Sequence, residues 1–144
     1  MKRYRFPLQA VLRIRTTERD QAARAAADAE REAVAAQRAR EHAVEVYGQV
    51  VPNGGVVSTR QLLSQRLVAE LGAEAVLEAG ERTRAADAEL LGKRAALAAA
   101  ASAVKALEEL EARGRAAHRT AAMKAEAKEV DDLVVSRHGR GDHE

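Results

Sequence analysis

Histidine is the residue type here with the widest chemical repertoire, and the chain carries four: His42, His118, His138 and His143. None has a second ligand at i,i+4 on a shared helix with a third to complete a set, and a single imidazole does not hold a metal. Cysteine is absent, which removes thiolate metal sites, thiol nucleophiles and disulfides, and agrees with a reducing cytoplasm. Gly54-Gly55 is followed by neither GxxxxGK[ST] nor GxGxxG, so no nucleotide-phosphate cradle is read. Arg140-Gly141-Asp142 spells an adhesion tripeptide, read as coincidence in a tail rich in these residues. The carboxylates are numerous but scattered along patterns with no pocket to perturb them. No catalytic, cofactor or metal site is expected, and the chain reads as non-enzymatic. Its work must come from surfaces, so the elements carrying them come next.

The 144 residues contain two Tyr, one Phe and no Trp, and about a third are charged. Ala, Glu, Leu, Lys and Arg dominate, the composition of long helices and coiled coils rather than of a multilayer core built on aromatics. Lys and Arg nearly balance Asp and Glu, leaving a net charge of +2. The basic excess is local: Lys2, Arg3, Arg5, Arg13, Arg15 and Arg19 face only Glu18 and Asp20 in the first twenty residues. That patch suits an acidic partner or anionic lipid, or is simply a solvated helix face. The basic start is followed by Gln9, Arg13 and Arg15, which break any apolar run. No signal peptide or membrane span is read, and a soluble protein is expected.

The expected fold is all-α, one domain over 1–144. Pro7 suits the opening of a helix running about 7–50. Leu8, Ala22, Ala29, Ala36, Ala43 and Val50 recur at sevens, with Val11, Ala25, Ala39 and Val46 between them, the spacing of a coiled-coil seam. Arg15, Glu18 and Glu32 interrupt it. Val51-Pro52-Asn53-Gly54-Gly55 marks a turn over 51–58, and Ser58-Thr59-Arg60-Gln61 reads as a capping box. A second helix is expected over about 59–137, with a disordered tail at 138–144. Leu90, Leu97 and Val104 repeat at sevens. Glu78–Arg82, Glu89–Lys93, Glu109–Arg113 and Glu111–Arg115 are i,i+4 pairs that support it. Gly72, Gly80, Gly92 and Gly114 oppose it at about 1 kcal/mol each, and Gly72 is the position for a break.

A short turn forces antiparallel pairing. Helix 1 would span about 66 Å and helix 2 about 118 Å. A tight hairpin then sets Pro7 beside about residue 103, and helix 2 overhangs by about 35 residues. Either Leu107, Leu110 and Leu133 lack an opposite face, or the helix breaks near Gly72 and the pairing shifts.

Three stretches resemble the FliJ family of flagellar export proteins. Tyr4-Arg5-Phe6-Pro7-Leu8-Gln9-Ala10-Val11-Leu12-Arg13-Ile14-Arg15 is similar to that family's opening. Ala103-Val104-Lys105-Ala106-Leu107-Glu108-Glu109-Leu110 is similar to its Lys-x-Leu-Glu-x-Leu segment. Glu126-Ala127-Lys128-Glu129-Val130-Asp131-Asp132-Leu133 is similar to its ending. Order, separation and the mid-chain turn agree over nearly the whole chain. The resemblance implies a cytoplasmic coiled-coil component of the flagellar type III export apparatus, like the central stalk of a rotary ATPase. Its partners would be the export ATPase ring, the cytoplasmic domain of the export gate and export chaperones, with peripheral association at the membrane-bound apparatus and no cofactor.

By that resemblance the ATPase would meet the end where the termini converge, with Arg3, Arg5, Arg13, Arg15, Lys128 and Asp131. The gate would meet the helix after the turn, with Leu63, Leu67, Leu71, Glu74 and Glu78, where the two glutamates depart from the family's apolar character. Two other readings stand beside it. One is a structural stalk or stator subunit of a different rotary ATPase. The other is a nucleic-acid or anionic-membrane binder, ranked last because Lys and Arg alternate with acids beyond the N-terminus and no aromatic stacking platform exists.

Overall fold

The computed structural model describes residues 3–50 and 55–138. Among them the protein is all-α, with two long helices, α1 (Gln9–Gly48) and α2 (Thr59–His138), and no strand. The first half of the expected turn (51–54) and the tail from 139 lie outside the described residues. No described helix is long and apolar enough to cross a membrane.

Local chemistry sets the ends. Pro7 occupies a turn closed by Gln9 N–H donating to the Phe6 carbonyl at 3.2 Å, and Leu12 N–H reaches the Leu8 carbonyl at 2.9 Å to start α1. Proline's fixed φ suits that turn. The capping box at the start of α2 forms as expected. Ser58 N–H donates to Gln61 Oε1 at 2.9 Å, and Gln61 N–H donates back to Ser58 Oγ at 3.3 Å.

The described residues divide into two compact units, one drawn from 1–18 and 100–144, the other from Arg19–Ala99. Within Arg19–Ala99 the helices run antiparallel. As α1 advances from Glu30 through Ala36 to Tyr47, its contacts on α2 retreat from Arg94 through Thr83 to Gly72. Ala26, Ala29, Ala33 and Ala86 are buried there. Ala22, Ala36 and Ala43 are half-buried. The expected sevens hold from Ala22 to Val50 but not at Leu8, which is exposed, and the interleaved positions shift: Ala26 and Ala33 are buried and Ala25 half-buried, whereas Val11, Ala39 and Val46 are exposed. A four-then-three step was needed where the sequence also offered three-then-four, because alanine is abundant in both frames.

On α2 the seam keeps the Leu90–Leu97–Val104 repeat and extends it both ways, through Thr83 and Val76 and through Glu111 and His118. Val104 is 2% exposed and is the largest fully buried side chain. Thr83 enters the seam without an unpaired hydroxyl, donating to the Ala79 carbonyl at 2.9 Å or the Ala36 carbonyl at 3.2 Å.

Two expectations are corrected. α2 does not break at Gly72; it runs unbroken through all four of its glycines. A Cβ at Gly72 would come within 2.9 Å of Tyr47 Cδ2, so this glycine makes room for a ring rather than a hinge. The register also differs from that of a tight hairpin. Tyr4 packs on Gly114 and His118, about three helical turns beyond the position expected from Pro7 beside residue 103. Tyr47, next to the last residue of α1, lies against Gly72, so the turns of α2 before Gly72 extend past the end of α1. In the unit drawn from 1–18 and 100–144, Leu107 is half-buried and α2 runs on for the twenty residues 119–138 past His118.

Of the expected i,i+4 ion pairs, Glu78–Arg82 closes at 2.9 Å and Glu111–Arg115 at 2.7 Å. All but one of the side chains in these two pairs are at least 60% exposed, so they contribute a few tenths of a kcal/mol at most.

Val104→Ala is expected to cost about 2 kcal/mol in denaturant unfolding followed by circular dichroism. Leu91→Ala, at a side chain 72% exposed, should change stability by less than about 0.5 kcal/mol.

Candidate partner-binding surfaces

Within Arg19–Ala99, the seam takes Gln65, Ala69, Gly72 and Val76 from the start of α2. Residues on other faces of those turns stay in solvent, and the largest aliphatics are among them. Leu63, Leu67 and Leu71 are 64, 57 and 56% exposed. Four-residue spacing stacks them on one face, and Glu74 and Glu78 continue it by steps of three and four. Both glutamates are exposed, and Glu78 is bridged to Arg82. Arg66 and Glu70 form a further exposed pair at 3.0 Å beside the leucines. All five residues expected to meet the export gate thus share one exposed face, apolar at its start and acidic beyond.

The other candidate surface lies in the unit drawn from 1–18 and 100–144. Residues 3–6 are not helical, and Tyr4 lies over Gly114, its ring 5.6 Å from that of His118 and tilted by 54°. A Cβ on Gly114 would run into the Tyr4 hydroxyl and approach Cζ to 3.1 Å. Only a glycine leaves the ring this seat. Arg3, Tyr4, Arg5, Phe6, Gln9, Glu111 and Arg115 line an open cleft of about 640 Å³. Glu111 is the more enclosed member of its ion pair, 22% exposed against 60% for Arg115. Arg3 and Arg5 are exposed, so the cleft carries three guanidinium groups against one carboxylate.

The expected ATPase-facing residues are only partly gathered. Arg3 and Arg5 share the cleft. Arg13 and Arg15 lie on the first turns of α1, both exposed, with Arg15 paired to Glu18 at 2.9 Å. Lys128 and Asp131 are exposed on α2 at least ten residues past His118, about 15 Å farther along the helix. The sequence reading missed Arg115 and the seating of Tyr4 by Gly114 and His118. The available signal was scarcity: in a chain with three aromatics, each ring has few places where it can be enclosed.

Among the described residues no group of three or more His, Cys, Asp or Glu converges to hold a metal ion. Among the described residues no buried side-chain nitrogen or oxygen lacks a hydrogen-bond partner. Comparison with family models, curated proteins and solved structures finds no match to the chain.

Two measurements separate these surfaces from the seam. Leu67→Ala with Leu71→Ala should leave helicity intact and change unfolding free energy by about 1 kcal/mol or less, not the roughly 2–5 kcal/mol per site of a buried leucine. Gly80→Ala and Gly92→Ala, where nothing lies within 4 Å of the added carbon, should each stabilise by up to about 1 kcal/mol. Gly72→Ala and Gly114→Ala should gain less, because each displaces a tyrosine.

Proposed function

We propose that this chain is a FliJ-like, non-enzymatic component of a flagellar type III export apparatus. In this reading it joins the export ATPase ring to the cytoplasmic domain of the export gate and takes part in handling export chaperones. The observation that carries the reading is the exposed Leu63–Leu67–Leu71 face. Three large aliphatics held in water on one side of a capped helix are a docking surface waiting for an apolar partner. They fall where the resemblance sets gate contact, and the acidic residues beyond them would rim such a contact.

The basic N-terminal segment supports the other half. Tyr4 anchors it on α2, and that leaves Arg3 and Arg5 directed to solvent beside Arg115, where an acidic surface of the ATPase could meet them. Arg13 and Arg15 extend the positive field along α1. Association with the membrane would then be indirect, through the gate.

The deciding experiment is capture of the purified export ATPase and of the gate's cytoplasmic domain by this chain. Arg13→Glu with Arg15→Glu should weaken ATPase binding about tenfold or more at moderate salt with helicity unchanged. Leu67→Ala with Leu71→Ala should abolish gate binding and motility. Absence of binding to both partners by the unaltered chain defeats the reading.

A further inference from the structure

Past His118 the α2 helix has no α1 beside it, yet it is not polar all round. Met123, Val130 and Val134 are 69, 58 and 53% exposed, and Ala127 is exposed between them. Their four-three-four spacing is that of a coiled-coil seam. This is not a continuation of the seam that α1 covers. At 100° per residue the four lie about 120–180° round the helix from His118. The described N-terminal residue Tyr4 packs on the His118 side, not on this stripe.

We propose that this stripe pairs antiparallel with the same stripe of a second copy of the chain, forming a two-fold symmetric contact. The spacing is its own mirror. With the two-fold axis between residues 128 and 129, Met123 meets Val134 of the second copy and Ala127 meets its Val130. The same contacts repeat across the axis, as an isologous interface requires. Charge complementarity selects the occupant. Residues 119–128 carry Arg119, Lys124 and Lys128 against Glu126, whereas 129–138 carry Glu129, Asp131 and Asp132 against Arg137. Antiparallel pairing lays the basic half on the acidic half twice. It also brings Lys124 of each copy beside Asp131 of the other on one flank of the stripe, against a single like pair, Arg119 beside Arg137, on the other flank; a parallel pair would lay the basic half on the basic half and the acidic half on the acidic half. Both side chains are exposed.

The contact is small. Four side chains from each copy fall in the class below about 1,200 Å² that supports weak, reversible association, with a dissociation constant on the order of tens of micromolar. It also lends order to a twenty-residue helix end that would be marginal alone in water. The inference does not depend on the export reading. If both hold, the pair covers Asp131, so self-pairing and ring binding at this end compete.

Sedimentation equilibrium of the full chain alone, from about 1 to about 500 µM, should show a monomer–dimer equilibrium. Asp131→Lys and Lys124→Asp, each alone, should weaken it about tenfold or more, because each sets two like-charge contacts in place of two opposite ones. Mixing the two single variants should restore association, since both pairs between positions 124 and 131 are then opposite. The chain has no cysteine, so a spin label on Ser136→Cys reports orientation. Antiparallel pairing places the labels about 22 Å apart along the helix, and parallel pairing about 10 Å apart.

A chain that stays monomeric throughout overturns the proposal. So does a dimer indifferent to both charge reversals, or a label separation near 10 Å. Co-sedimentation with anionic phosphatidylserine vesicles without self-association would instead make lipid the occupant, and that too overturns it.

Discussion

Alanine packed against alanine is the interaction on which the rest of this structure depends. Small side chains let two helices approach to the short end of the usual interaxial range, about 8 Å, and such contacts run along the middle of the pair. Each alanine removes little apolar area from water, so the seam gains far less per layer than leucine would give. Fixing long helices costs conformational entropy at every residue. A pair held in this way is a scaffold with little stability to spare, and partners that bind only the folded form would stabilise it by mass action.

The same constraint decides where the large side chains go. Close approach leaves no room for a ring except where the opposite residue has no side chain at all. Tyr47 finds Gly72 and Tyr4 finds Gly114, so two residues that weaken a helix in isolation are the ones that admit the aromatics. Most of the leucines stay off the seam. Leu62, Leu63, Leu67, Leu71, Leu77 and Leu91 are all more than half exposed, an arrangement costly for an isolated chain and natural for one whose outer faces meet other proteins.

Electrostatics adds position more than stability. The ion pairs lie on exposed faces and are mostly local, so solvent screens them. Between helices, only Arg94–Glu30 at 3.3 Å ties α1 to α2 among the described pairs. What the charges do is mark surfaces: guanidinium groups around the N-terminal cleft, carboxylates beyond the leucine face, and opposite signs on the two halves of the unpaired end of α2.

The amino-acid sequence by itself determined the helices, their caps and the seven-residue repeats, because these rest on interactions within a few residues: the Ser58–Gln61 box, the Pro7 turn, the Leu90–Leu97–Val104 spacing. It also determined which residues were candidates for binding, since large aliphatics and clustered arginines stand out in an alanine-rich chain. Register was beyond it. An alanine seam can be laid in several frames with nearly equal burial, and the frame is chosen by rare, long-range fits: Tyr4 on Gly114 and His118, Tyr47 on Gly72, the Thr83 hydroxyl toward the Ala36 carbonyl. Only the tertiary structure decides those, and with them that Leu107 lies in the seam, that Gly72 is a seat and not a hinge, and that Leu63, Leu67 and Leu71 face water. The physical reason is that burial depends on what lies opposite, and the residue opposite is about twenty-five to more than a hundred positions away in the chain.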